Sequence, residues 1–128
     1  MRSAAAKCPW KIAIASDKDE PVTTVQLKDT DLSVSAVWGK SFRIGKRTYG
    51  HVIDPRTGKP VAHALLAAVI LPSATETDAL STALLTVGIR GHKQITQLRA
   101  GMRSLVLDPN YRTGAKGISS KFQVLSSK

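Results

Sequence analysis

Eight consecutive apolar residues, Ala64-Leu65-Leu66-Ala67-Ala68-Val69-Ile70-Leu71, run unbroken up to Pro72. A stretch this short falls well below the roughly 18 residues of a membrane span. Its length and its lack of polar interruption predict a buried strand from His63 to Leu71, closed by Pro72. The residues that follow constrain the fold as strongly. Ser73-Ala74-Thr75-Glu76 has the spacing of a capping box, with Ser73 receiving a backbone N–H and Glu76 reaching back. Ala79, Leu80, Ala83, Leu84 and Val87 then recur at helical spacing, and Gly88 suits the stop. A buried strand therefore leads directly into a capped amphipathic helix, and Gly91 to Ala100 reads as a second helix ending at Gly101.

Upstream, Trp10 to Ala15, Val22 to Leu27 and Leu32 to Val37 read as short strands, and Ser41 to Arg47 as another, broken near Gly45-Lys46. Their links are too short for helical crossovers, so an antiparallel meander is expected. Thr48 to Pro60, with two prolines and two glycines, predicts a loop of fixed shape. Ser104 to Asp108 reads as a last strand. The class is α+β: a largely antiparallel sheet with two helices packed on it. The expected organisation is an N-terminal extension (1–9), one domain (10–108) and a loose basic tail (109–128), since 128 residues suit a single domain.

Lys and Arg number 19 against 9 Asp and Glu, a formal charge of +10, which calls for an anionic partner or for well-solvated basic faces. Two Trp, two Tyr and two Phe give no aromatic-basic repeat of a single-strand binder, so nucleic acid ranks last among the partners and none is expected. Cys8 stands alone, which excludes an internal disulfide and a cysteine-based zinc cluster. Met1 to Lys7 is basic, but no hydrophobic core follows it, so no secretory signal is read and a cytoplasmic location is the default expectation.

Two groups of residues carry chemistry. Asp78, Ser81 and Thr82 stand at i, i+3 and i+4 near the start of the capped helix, so they share a face. A carboxylate and two hydroxyls are hard oxygen ligands of the kind Mg²⁺ accepts, with water and phosphate completing the octahedron. The same triplet equally fits a solvated Asp beside hydroxyls bonded back to helix carbonyls. The second group is His51, Asp54, Arg56 and Thr57 in one constrained loop. There His51 would serve as a general base, and Arg56 or Thr57 would hold phosphate oxygens. Read without context, a simple turn with an Asx-type bond explains this loop more economically. His63 and His92 have no matching partners in the sequence and read as structural or exposed. The chain has no Walker A, GxGxxG or GxSxG motif.

These residues carry a family resemblance. Tyr49-Gly50-His51-Val52-Ile53-Asp54-Pro55-Arg56-Thr57-Gly58-Lys59-Pro60 resembles the H-I-I-D-P-R-T-G-x-P signature of the ApbE family, the FAD:protein FMN transferases. Asp78-Ala79-Leu80-Ser81-Thr82-Ala83-Leu84 is similar to the family's second signature, A-D-A-L-S-T-A-L. The resemblance runs from about Trp10 to Leu107 and implies the C-terminal half of the family's domain. It implies a Mg²⁺-dependent transfer of FMN from FAD to a Thr or Ser hydroxyl of an acceptor flavoprotein, with release of AMP. Carried over, Asp78 and Thr82 would ligate Mg²⁺ with Ser81 adjoining, and His51 would be the catalytic histidine. Val52, Asp54, Arg56 and Thr57 would border the flavin nucleotide.

Three departures bear on activity. Family members are typically more than twice this length. Leu32 to Trp38 matches their A-T-S-G-D-Y stretch loosely, with Val34, Ala36 and Val37 in place of Thr, Gly and Asp. Members are usually exported, whereas no signal is read here. A truncated product or a piece of a longer protein accounts for the length and the missing signal together, and self-association is one way to complete a half-pocket. The alternatives to an active transferase are a flavin- or acceptor-binding remnant without turnover and, last, a basic nucleic-acid binder.

Overall fold

The computed structural model describes residues 10–16, 21–37, 41–44, 47–50, 52–118 and 124–125. The strands are β1 (Trp10–Ala15), β2 (Pro21–Leu27), β3 (Asp31–Ala36), β4 (Ser41–Ile44), β5 (Arg47–Gly50), β6 (Ile53–Asp54), β7 (Lys59–Pro60) and β8 (Leu66–Leu71). After α1 (Ala74–Thr96) come β9 (Arg103–Leu107), β10 (Thr113–Lys116) and β11 (Val124–Leu125). Five strands form the main sheet in the order β11-β10-β9-β8-β3. Its pairings are antiparallel except the short parallel contact of β10 with β11. The α+β class with a largely antiparallel sheet is what the chain adopts.

Every residue of β8 is buried, as its unbroken apolar run requires. Side chains alternate across a strand, so β8 feeds two cores at once. Ala67, Val69 and Leu71 pack with Leu84, Leu85 and Ile95 of α1. Leu66, Ala68 and Ile70 pack with Ile14, Val22, Val25 and Leu27 of the β1–β2 hairpin. The molecule is thus layered as helix, sheet and hairpin. This layering overturns the expected meander. β2 pairs with β1, but β3 pairs with β8 in register Ser33↔Val69 and Ser35↔Ala67. The Lys28-Asp29-Thr30 link, with Asp29 at φ 54, carries the chain from one layer into another. The hairpin's apolar face is thereby buried on the second face of β8, where burial is favourable.

Part of the segment expected as a loose tail is sheet. β10 pairs with β9, and Thr113 is fully buried. The signal was weak because Thr-Gly-Ala-Lys has no apolar alternation and is held by its neighbours. The described region has no helix long and apolar enough to cross a membrane.

The two expected helices form one element, α1, that is broken at Gly88, where φ is 68 and ψ −161. A straight helix of 23 residues would hold its ends roughly 34 Å apart. Yet Arg99 Nε, just past the end, donates to Glu76 Oε1 in the first turn at 2.7 Å. The chain therefore folds back at Gly88, and the two helical segments lie side by side. The capping box is half realised. Glu76 N–H donates to Ser73 Oγ at 3.3 Å, but the Glu76 carboxylate is engaged by Arg99.

His92, on the second helical segment, is fully buried between α1 and the sheet. Its Nε2 lies 2.7 Å from Ser104 Oγ on β9, whereas Nδ1 has no hydrogen-bond partner among the described residues. Burial, reinforced by the positive charge of Lys116, pushes its pKa below the usual histidine value. A neutral ring donating from Nε2 leaves only a bare lone pair at Nδ1. Protonation would add an N–H there with nothing to receive it.

Two outcomes follow for stability. Gly88→Ala is expected to cost about 1–3 kcal/mol, because that backbone region is nearly glycine-only. A Cβ there would also stand 3.1 Å from the His63 carbonyl oxygen. Thermal melts compared with Gly101→Ala, where a Cβ meets nothing within 4 Å, test it; equal losses would refute the close-approach argument. For His92 the folded pKa is lowered, so its contribution is intact above the ordinary histidine pKa and lost as pH falls below it. Urea midpoints of the unmodified chain should drop between pH 7.5 and 5.5 by more than those of His92→Gln, and parallel pH profiles would remove His92 as the cause.

Candidate functional site

The capped start of α1 and the adjacent edge strand β3 build a corner of hydroxyls. Alternation along β3 turns Ser33 and Ser35 to the same face, toward α1. Ser81 Oγ lies 3.0 Å from Ser33 Oγ and 2.8 Å from Ser35 Oγ. It also donates to the Asp78 carbonyl at 3.1 Å. A hydroxyl has one proton and two lone pairs. The proton of Ser81 goes to the carbonyl and its lone pairs accept from the two serines, so this fully buried group is saturated. Ser81 therefore ties helix to strand and has no lone pair left for a cation.

Thr82 differs. Its Oγ1 donates to the same carbonyl at 3.2 Å, lies 3.3 Å from Ser35 Oγ, and sits on the exposed side with accepting capacity left. The Asp78 carboxylate is exposed one helical turn before it. Among the described residues, no three of His, Cys, Asp and Glu gather into a metal cluster. One carboxylate and one hydroxyl beside the positive end of a helix are nonetheless a hard-oxygen set. They fit a cation that keeps water and phosphate in its remaining positions. Sequence reading singled out Ser81 and Thr82 but missed Ser33 and Ser35. Their signal was the polar alternation in Leu32-Ser33-Val34-Ser35-Ala36, whose pairing with β8 is not encoded locally.

The second group occupies a hairpin. β6 and β7 pair as Ile53↔Pro60 and Asp54↔Lys59, and Pro55 to Gly58 forms the turn. The backbone N–H groups of Thr57 and Gly58 donate to the Asp54 carbonyl at 3.2 and 2.8 Å. Pro55 supplies the φ that opens such a turn, and Gly58 takes the positive φ, 69, that ends it. Asp54 is buried, and both its carboxylate oxygens are spent on Arg56. Oδ1 accepts from the backbone N–H at 2.9 Å and from Nε at 3.1 Å, and Oδ2 accepts from Nη2 at 2.8 Å. The hydrogen bonds from Arg56, side chain first, hold the Asp54 carboxyl below the usual carboxylate range despite burial, and the charges of Arg56 and His63 act in the same direction.

The Asx-type turn is thus present, and Asp54 acts on a ligand only by fixing Arg56 and the hairpin. The Arg56 side chain remains 60% exposed, so part of its guanidinium faces outward. Thr57 is exposed, with Oγ1 accepting from the Lys59 N–H at 3.2 Å. Val52 is half-buried, and its carbonyl accepts from Val61 N–H at 2.9 Å. His51 lies outside the described residues. Among the described residues, no hydrogen bond or ion pair joins this hairpin to the Asp78 corner.

The ApbE family model matches residues 2–106. The chain is 33% identical over 93 residues to the FAD:protein FMN transferase of Escherichia coli (strain K12), covering 70% of this chain and 26% of that protein. It is 30% identical over 135 residues to the FAD:protein FMN transferase of Treponema pallidum (strain Nichols), covering 100% of this chain and 37% of that protein. In fold it resembles the crystal structure of the ApbE protein from Thermotoga maritima, with a TM-score of 0.77 at 24% sequence identity over 87% of this chain and 37% of that one. The chain thus spans 26–37% of the length of these relatives. The family match runs through the hairpin, β8 and the hydroxyl corner alike, and on it the chain belongs to the ApbE family.

Proposed function

We propose that this chain carries the metal-binding and histidine-bearing part of a Mg²⁺-dependent FAD:protein FMN transferase. The observation that supports the reading most is the hydroxyl corner. The second family signature falls where Asp78 and Thr82 keep oxygen lone pairs open to solvent while Ser81 is locked to Ser33 and Ser35. In the reaction, an acceptor Thr or Ser oxygen bonds to the FMN-side phosphorus of FAD, and the pyrophosphate bond breaks to release AMP. Asp78 and Thr82 would hold Mg²⁺, which when bound offsets negative charge on the pyrophosphate.

His51 takes the proton of the acceptor hydroxyl, a role that rests on the family signature alone. Val52 and Thr57 border the nucleotide along the hairpin, and Asp54 fixes Arg56, whose outward N–H groups meet phosphate oxygen. Ser81 is a positioning residue. It orients the Asp78 carbonyl and the adjoining turn without touching substrate. The remaining wall of the pocket would come from outside these 128 residues, either from further chain or from a second copy.

A second reading is favoured by the 26–37% coverage of the relatives: a chain that binds flavin or acceptor without turning over. One experiment separates the two. Chain, FAD, Mg²⁺ and a Thr-bearing acceptor flavoprotein are incubated, and acceptor mass and in-gel flavin fluorescence are read with and without EDTA. The transferase reading expects labelling that EDTA removes. Asp78→Ala should abolish it at an unchanged melting temperature, and His51→Ala should slow it by about 10²–10⁴-fold, the usual worth of a general base. Labelling that persists in EDTA, or that Asp78→Ala leaves intact, would sink the metal assignment. FAD binding with no labelling would establish the second reading.

A further inference from the structure

A cleft of about 520 Å³ opens where α1 folds back at Gly88, away from the hydroxyl corner. Val87 follows Asp78 by nine residues on an unbroken helical segment, which places the cleft roughly 13 Å along the axis from the corner. Three arginines from three separate parts of the chain line it: Arg56 from the β6–β7 hairpin, Arg90 from the bend and Arg112 from the turn between β9 and β10. Val87 and Ile89 supply apolar wall between them.

Two of the arginines are braced from behind. Asp54 holds Arg56 through Nε and Nη2, at 3.1 and 2.8 Å. Asp108, itself buried, accepts from Arg112 Nε at 3.2 Å and from its backbone N–H at 2.9 Å. A carboxylate that grips one edge of a guanidinium fixes its plane and lowers the entropy lost when the opposite edge binds a ligand. Among the described residues, the terminal nitrogens of Arg112 carry no hydrogen bond and remain for that purpose. Arg90 takes part in none of the three ion pairs among the described residues. Counted over the described residues, three positive side chains against Asp54 and Asp108 leave a surplus of one at the cleft. That is the arrangement that concentrates anions.

The geometry points to a binding site for a phosphate-bearing small molecule of nucleotide size, with its phosphates among Arg56, Arg90 and Arg112 and its ring portion on Val87 and Ile89. The volume lies in the range that encloses such ligands. Paired N–H edges of guanidinium suit phosphate oxygen better than a point charge does. The site is separate from the Asp78 corner and does not depend on the transferase reading. Only Arg56 is common to both, and the site's own residues are Arg90 and Arg112.

The test is calorimetric titration of the full chain with ADP, inorganic pyrophosphate and adenosine, all in EDTA so that the Asp78 corner contributes no metal. ADP should bind, pyrophosphate should bind more weakly, and adenosine should not bind. Added salt should weaken both bound probes. Arg90→Ala, an exposed change outside any described ion pair, should reduce ADP affinity at least about tenfold at an unchanged melting temperature, whereas Asp78→Ala should leave it as it was. Amide shifts induced by ADP should centre on Gly91 and Gln94. Three results would each overturn the site: silence of both phosphate probes, ADP affinity indifferent to Arg90→Ala and Arg112→Ala, or shifts centred on Asp78 and Ser81. Binding of an RNA oligonucleotide with ADP and pyrophosphate silent would replace it with a nucleic-acid surface.

Discussion

The double-sided burial of β8 is the constraint on which the rest of this molecule depends. A strand with apolar residues at both parities must be covered on both faces, and the chain meets that demand with two different layers. α1 covers Ala67, Val69 and Leu71, and the β1–β2 hairpin covers Leu66, Ala68 and Ile70. Each of the larger side chains buried there contributes about 1.5–3 kcal/mol relative to exposure. The demand for two covers explains why β2 leaves the sheet plane and why β3, not β2, takes the edge beside β8.

Placing β3 at that edge creates the hydroxyl corner. The register Ser33↔Val69 and Ser35↔Ala67 brings both serines up to the first turns of α1, where Ser81 Oγ accepts a hydrogen bond from each. Hydroxyls this close satisfy one another around the buried Ser81, so helix and strand are joined at the corner without an ion pair. Asp78 and Thr82 stand at its open side. A local helical triplet thereby becomes a positioned oxygen set, because the strand beneath it holds the helix in place.

The reversal at Gly88 does comparable work at the other end of the same helical segment. Glu76 and Arg99 close the pair of segments, and the bend leaves the concave surface onto which Arg56, Arg90 and Arg112 converge. One helix thus separates two opposite kinds of chemistry. At its start are neutral hydroxyls and a carboxylate suited to a hard cation. At its far end are guanidinium groups braced by the buried carboxylates Asp54 and Asp108. The strong positive charge of the chain is in part organised here, with named partners, and not spread evenly over solvated faces.

What the sequence determined by itself was local and strong. The apolar run of β8, the Ser73 cap, the stop at Gly88 and the Asp54-to-Gly58 turn are each specified by neighbours within a few residues. The two signatures that carry the family likeness lie in those same segments. Only the tertiary structure decided the partners. Which strand pairs with β8, where the Glu76 carboxylate goes, that Thr113 belongs to a sheet, and that Ser81 is saturated while Thr82 is not all depend on contacts across long stretches of chain. Short polar segments such as Ser33-Val34-Ser35 and Thr113-Gly114-Ala115-Lys116 have little intrinsic preference, so the neighbours that bury them settle their conformation and their chemistry.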